Sequence, residues 1–96
     1  MRVEFELRNN GPERLVCNAE IHFGPECGAL AGMKLVGFSL WRSPEDEVYV
    51  TFPSRVSGAG SERRYFDYLR TVEGAGEARR VKDWILAEFR ASRAAA

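Results

Sequence analysis

Six cations in the second half of the chain have the spacing to do chemistry. Arg55 follows the strand-like run Val48-Tyr49-Val50-Thr51-Phe52-Pro53-Ser54, and Arg63 and Arg64 come after a Gly/Ser loop. Pro53 has no N–H to donate, so a strand cannot continue its ladder through it, and the chain must leave the sheet there. Arg55, Arg63 and Arg64 are thereby gathered near one sheet edge. The guanidinium group is a planar fork of donors suited to phosphate oxygens. The second group is Arg79, Arg80 and Lys82, just inside a helix start at Gly74-Ala75-Gly76-Glu77. Free N–H groups at a helix N-terminus attract anions, and Glu77, a first-turn acid, competes for them. On spacing alone, a solvated loop and a solvated helix face explain the same residues.

Other chemistry has little to stand on. His22 is the only histidine and alternates with Ile21 and Phe23, which puts it on an outer strand face beside Asn18 and Glu20. Cys17 and His22 have opposite strand parity, so Cys17, His22 and Cys27 do not converge on a metal. No Gly-x-x-x-x-Gly-Lys-Ser/Thr loop occurs. Asp46-Glu47 falls in a turn, where solvation explains it. No catalytic residue, metal or cofactor is expected, and the chain does not read as an enzyme. The two cysteines lack Cys-x-x-Cys spacing and read as reduced thiols of a cytoplasmic protein, with Cys17 in the core.

The elements that position the cations follow from periodicity. Residues 2–8 alternate, with Val3, Phe5 and Leu7 on one side. Asn9-Asn10-Gly11-Pro12 is a turn signal, and residues 14–23 alternate again with Leu15, Cys17, Ala19, Ile21 and Phe23 inward. Gly24-Pro25-Glu26-Cys27-Gly28 breaks the pattern. Residues 33–42 form a third strand, with Val36, Phe38 and Leu40 on one face and Leu35, Gly37, Ser39 and Trp41 on the other. After the turn Ser43-Pro44-Glu45-Asp46, residues 47–53 form a fourth strand with Val48, Val50 and Phe52 inward. Residues 57–61 read as a loop, and residues 64–70 as a short strand or an aromatic turn. Val81, Trp84, Ile85 and Phe89 make one stripe of a helix over 76–93, with Leu86 beside it. The expected fold is α+β: a four- to five-stranded antiparallel sheet with a C-terminal helix, one domain over 1–93 and a frayed tail at 94–96. One helix covers one face, so Leu35 and Trp41 call for a second subunit and predict a homodimer.

The 96 residues suffice for one domain, and no apolar run is long enough for a membrane helix. Met1-Arg2-Val3-Glu4-Phe5-Glu6 lacks the apolar region of a signal peptide. Net charge is zero, but residues 1–53 carry five basic and eight acidic groups, while residues 54–96 carry nine and six. The halves are therefore −3 and +3, which allows a basic face on a neutral protein. Arginine outnumbers lysine twelve to two, a bias that GC-rich coding explains as readily as phosphate binding does.

From Gly37-Phe38 to Phe89 the chain resembles the stage V sporulation protein G (SpoVG) family of bacteria. The matching pieces are Val48-Tyr49-Val50-Thr51-Phe52-Pro53-Ser54-Arg55 and the helix Arg80-Val81-Lys82-Asp83-Trp84-Ile85-Leu86-Ala87-Glu88-Phe89. The resemblance implies a small dimeric α+β regulator that binds nucleic acid, DNA or RNA. Arg55 and Arg80 match family positions implicated in nucleic-acid contact, with Arg63 and Arg64 in the equivalent loop. The chain departs from the family at Asp67-Tyr68, where a His-Pro pair is usual, and at Glu73-Gly74-Ala75-Gly76-Glu77, where Ser and Thr are usual. The expected function is nucleic-acid binding in transcription regulation. The alternative is a protein-interaction module of the same fold, using the edge beside Pro53 or the Leu35/Trp41 face.

Overall fold

A computed structural model of the chain describes residues 1–7, 11–74 and 76–92. Four strands form one antiparallel sheet in sequence order: β1 (Arg2–Leu7), β2 (Leu15–His22), β3 (Lys34–Arg42) and β4 (Val48–Thr51). A 3-10 segment, Pro25–Leu30, joins β2 to β3 where Gly24-Pro25 breaks the alternation. Pro44-Glu45-Asp46 closes the β3–β4 hairpin, with Asp46 in the left-handed region at φ 64°. The Asp46 N–H donates to Ser43 O at 2.9 Å, and the Ser43 N–H donates to Glu47 O at 2.7 Å. Aspartate tolerates that conformation better than most residues.

The helix α1 (Glu77–Ala91) crosses one face of the sheet and packs on β4 and β1. Its stripe is as the spacing predicts: Ile85 and Phe89 are buried, and Val81, Trp84 and Leu86 pack beside them. Across from them lie Cys17, Ala19, Ile21, Phe38, Leu40, Val50 and Phe52. Phe5 meets Phe89 edge-on at 5.5 Å, and Phe38 meets Phe52 in the same way at 5.5 Å. Side chains such as Phe38, Leu40 and Ile85 each contribute about 1.5–3 kcal/mol by full burial. The apolar parity of β1, β2 and β4 thus builds the α+β core that the sequence predicts.

Two irregularities correct the expected faces. Ala19 is paired with Phe38, but Ile21 is paired with Leu35, so two steps along β2 span three along β3. The extra residue is a β-bulge, which flips side-chain parity beyond it. Its Gly37 has φ 105°. Leu35 therefore packs against the core, and Val36, expected inside, is 53% exposed. A second shift between Leu15 and Cys17 sends Val16 to the core and leaves Leu15 paired with Trp41 on the outer face. The uncovered Leu35/Trp41 face expected from alternation does not exist as such, because Leu35 already has a cover.

The fifth strand does not join the main sheet. β5 (Ser54–Ser57) and β6 (Arg64–Asp67) form a separate two-stranded antiparallel sheet after Pro53. Residues 54–57 are strand, where the reading assigned no element to 54–56 and began the loop at 57, and the ambiguous 64–70 segment resolves into a four-residue strand. The expected turn at Asn9-Asn10, the residue Arg93 and the tail 94–96 lie outside the described residues. No helix among the described residues is long and apolar enough to cross a membrane.

Candidate functional site

The β5–β6 hairpin places three of the six expected cations. Arg55 is paired with Phe66, and Ser57 with Arg64. Residues opposite one another, or two apart on a strand, share a face. Arg55, Phe66 and Arg64 therefore line one side of the hairpin. The Arg55 guanidinium lies 5.2 Å from the centre of the Phe66 ring. Arg63 ends the 3-10 turn Gly60–Glu62 and donates its N–H to Gly60 O at 3.3 Å. Gly58 closes the loop at φ 87°, and a Cβ there would stand 2.5 Å from Glu62 O. Among the described residues, none of Arg55, Arg63 and Arg64 has an ion pair.

The helix places the other three less uniformly. Gly76 precedes α1 without a side-chain cap, and the Glu77 carboxylate folds against Gly74. The position an external anion would take beside the first turn is thus occupied by the chain's own carboxylate. Arg79 Nε lies 3.9 Å from Asp83 Oδ2, an exposed i,i+4 pair. Arg80 is exposed and has no ion pair among the described residues. Lys82 is half-buried, with Nζ 5.2 Å from the centre of the Phe52 ring. Phe52 directly precedes Pro53, so Lys82 is the helix cation that reaches the corner where the hairpin begins. Arg79 and Arg80 make no hydrogen bond or ion pair with the hairpin among the described residues.

A cleft of about 560 Å³ lies between the outer face of the sheet and the hairpin. Trp41, Tyr49 and Tyr65 line it, together with Ser39, Thr51, Ser54 and Asp67. Trp41 is paired with Tyr49 across β3–β4, and its Nε1–H donates to Thr51 Oγ1 at 2.9 Å. The β3 bulge shapes one end: Gly37 lines the cleft, and a Cβ on it would stand 2.8 Å from Pro53 Cβ. The alternation of Ser39 and Trp41, of Tyr49 and Thr51, and of Tyr65 and Asp67 carried a signal for this lining. What hid it was the hairpin: Pro53 marks the departure from the sheet, but the sequence does not show that residues 54–57 and 64–67 pair with each other.

His22 and Cys17 have structural roles. His22 Nδ1 lies 3.1 Å from an Arg2 guanidinium nitrogen, and His22 Nε2 lies 2.9 Å from Glu20 Oε1. Guanidinium only donates, so Nδ1 accepts and Nε2 carries the proton. His22 sits on the outer face, as its parity predicts. Burial pushes the Cys17 thiol up to about 11, which leaves it a neutral core group. No cluster of three or more His, Cys, Asp or Glu side chains is placed to hold a metal among the described residues. No family model, curated protein or solved structure matches the chain.

Proposed function

We propose that the chain is a small cytoplasmic regulatory protein that binds nucleic acid, DNA or RNA, through phosphate contacts, as its resemblance to the SpoVG family implies. The observation that carries the reading is the uneven pairing of charge. In the four-stranded sheet, Arg2 is matched by Glu4 at 2.7 Å, Lys34 by Glu20 at 3.3 Å and Arg42 by Asp46 at 3.1 Å. On the hairpin, Arg55 and Arg64 flank Phe66 without an acidic partner among the described residues. A guanidinium resting on an aromatic face keeps its in-plane donors free for a phosphate. Lys82, held over Phe52, extends the positive charge towards the helix, and Arg63 and Arg80 add to it. Arg79, already paired with Asp83, contributes least. Two free thiols, Cys17 and Cys27, fit a reducing compartment.

Dimerisation belongs to the same proposal. With Leu35 covered, the surface that supports it is the free edge of β1, an unpaired antiparallel strand. Two such edges meeting about a two-fold axis join the sheets and leave both hairpins open.

The test is a salt titration of binding to mixed-sequence duplex and single-stranded DNA and RNA probes. Affinity is expected to fall linearly on a log–log plot. The Arg55→Ala/Arg64→Ala variant, lacking two phosphate contacts, is expected to flatten the slope on duplex DNA by about 2. Arg79→Ala is expected to change it little. Absence of binding at low salt, or a slope that the double variant leaves unchanged, overturns the reading.

A further inference from the structure

We propose that the cleft between the sheet and the hairpin binds an unpaired guanine base, an inference that rests on the nucleic-acid reading of the hairpin arginines. Three aromatic side chains and one carboxylate carry it. Trp41 and Tyr49 stand side by side on the sheet wall, and Tyr65 stands on the hairpin wall. The space of about 560 Å³ is within the range of small-ligand sites. Aromatic walls stack any base through its π-face, so they do not discriminate.

The polar lining does discriminate. Asp67, paired with Ser54 across β5–β6, lines the cleft with neither an ion pair nor a side-chain hydrogen bond among the described residues. A carboxylate offers two acceptors and no donor. Guanine alone has two adjacent donors on its pairing edge, N1–H and the N2 amino group. Uracil and thymine present one donor between two carbonyl acceptors, and adenine and cytosine set an acceptor beside their amino groups. A bidentate contact to Asp67 therefore favours guanine and sets oxygen against oxygen for uracil. The Ser54 hydroxyl, opposite Asp67, can donate to the guanine O6 or N7.

The two faces of the hairpin divide the labour. Ser54, Tyr65 and Asp67 face the cleft, and Arg55 and Arg64 lie on the other side. A single strand draped over the hairpin edge sets phosphates against the arginines and turns the adjoining base into the cleft. A duplex, with its bases stacked and paired, cannot do this.

The experiment follows the indole N–H signal of Trp41 by two-dimensional NMR during titration with GMP, IMP and UMP, with Trp41→Phe used to assign the signal. The three probes carry the same phosphate, so their ratio reports the base. GMP is expected to shift the signal saturably and to bind about tenfold more tightly than UMP. IMP, which lacks the N2 amino group, is expected to fall between them. Asp67→Asn is expected to abolish the preference while leaving the dispersion of the spectrum unchanged. Equal responses to all three probes, or no change at Trp41, overturn the guanine site. That failure is distinct from failure of the phosphate reading, which the oligonucleotide salt slope decides.

Discussion

Glu20 accepts from His22 Nε2–H at 2.9 Å and from Lys34 Nζ at 3.3 Å. The His22 hydrogen bond first, and Lys34 after it, hold this carboxyl below its ordinary value of 4.5. The linkage sign follows. Between the folded and unfolded values the unfolded chain binds the extra proton, so stability is present above the ordinary carboxylate range and is lost as pH falls through the folded value. Thermal unfolding followed from about pH 6 down to about pH 3 is expected to show a shallower acid loss in Glu20→Gln than in the wild type. Parallel acid limbs would sink the assignment. The size is small, because these groups keep part of their contact with solvent. At this scale the sequence was legible: strand parity placed His22 beside Glu20 on the outer face, and Cys17 in the core. Lys34 was not foreseen, because its place opposite His22 depends on the bulge that shifts β3.

At the scale of elements, Gly37 does two jobs at once. Its φ of 105° makes the bulge that turns Leu35 inward, and its lack of a Cβ admits Pro53. Gly37→Ala meets both obstacles, a disfavoured backbone and a rigid proline ring 2.8 Å away. It is expected to destabilise the protein by about 2 kcal/mol or more, read by denaturant unfolding. A loss below about 0.5 kcal/mol would show that neither constraint matters. The helix stripe, β1, β4 and β2 from Cys17 onward could be read from the sequence because their periodicity is unbroken. In β3 the faces of Phe38 and Leu40 were read correctly, but those of Leu35 and Val36 were not, because one added residue inverts the assignments beyond it. The hairpin was half legible: Pro53 announced the departure from the sheet, but four-residue strands are too short for alternation to separate strand from loop.

At the scale of the molecule, the uncovered surface shifts the search for a partner. The apolar face expected to need a second subunit has lost Leu35 to the core, and the open edge of β1 takes its place in the dimer proposal. Light scattering across micromolar concentrations is expected to give the mass of two chains. A mass of one chain throughout would remove the dimer without touching the hairpin arginines. The six cations are a parallel case. Their sequence neighbourhoods were clear, but their electrostatic state was not, since Asp83 takes Arg79 while Arg55 and Arg64 stay unmatched. That depends on which acids the fold brings near.

The acidic first half and basic second half, −3 and +3, give this neutral chain an electric dipole. The field of a polyanion is non-uniform, so it turns such a dipole and then draws its positive end inward. The protein turns before it touches, and the hairpin leads. Its retention on ion-exchange resins should follow the same logic, with binding to a negatively charged matrix governed by the leading end rather than by the isoelectric point.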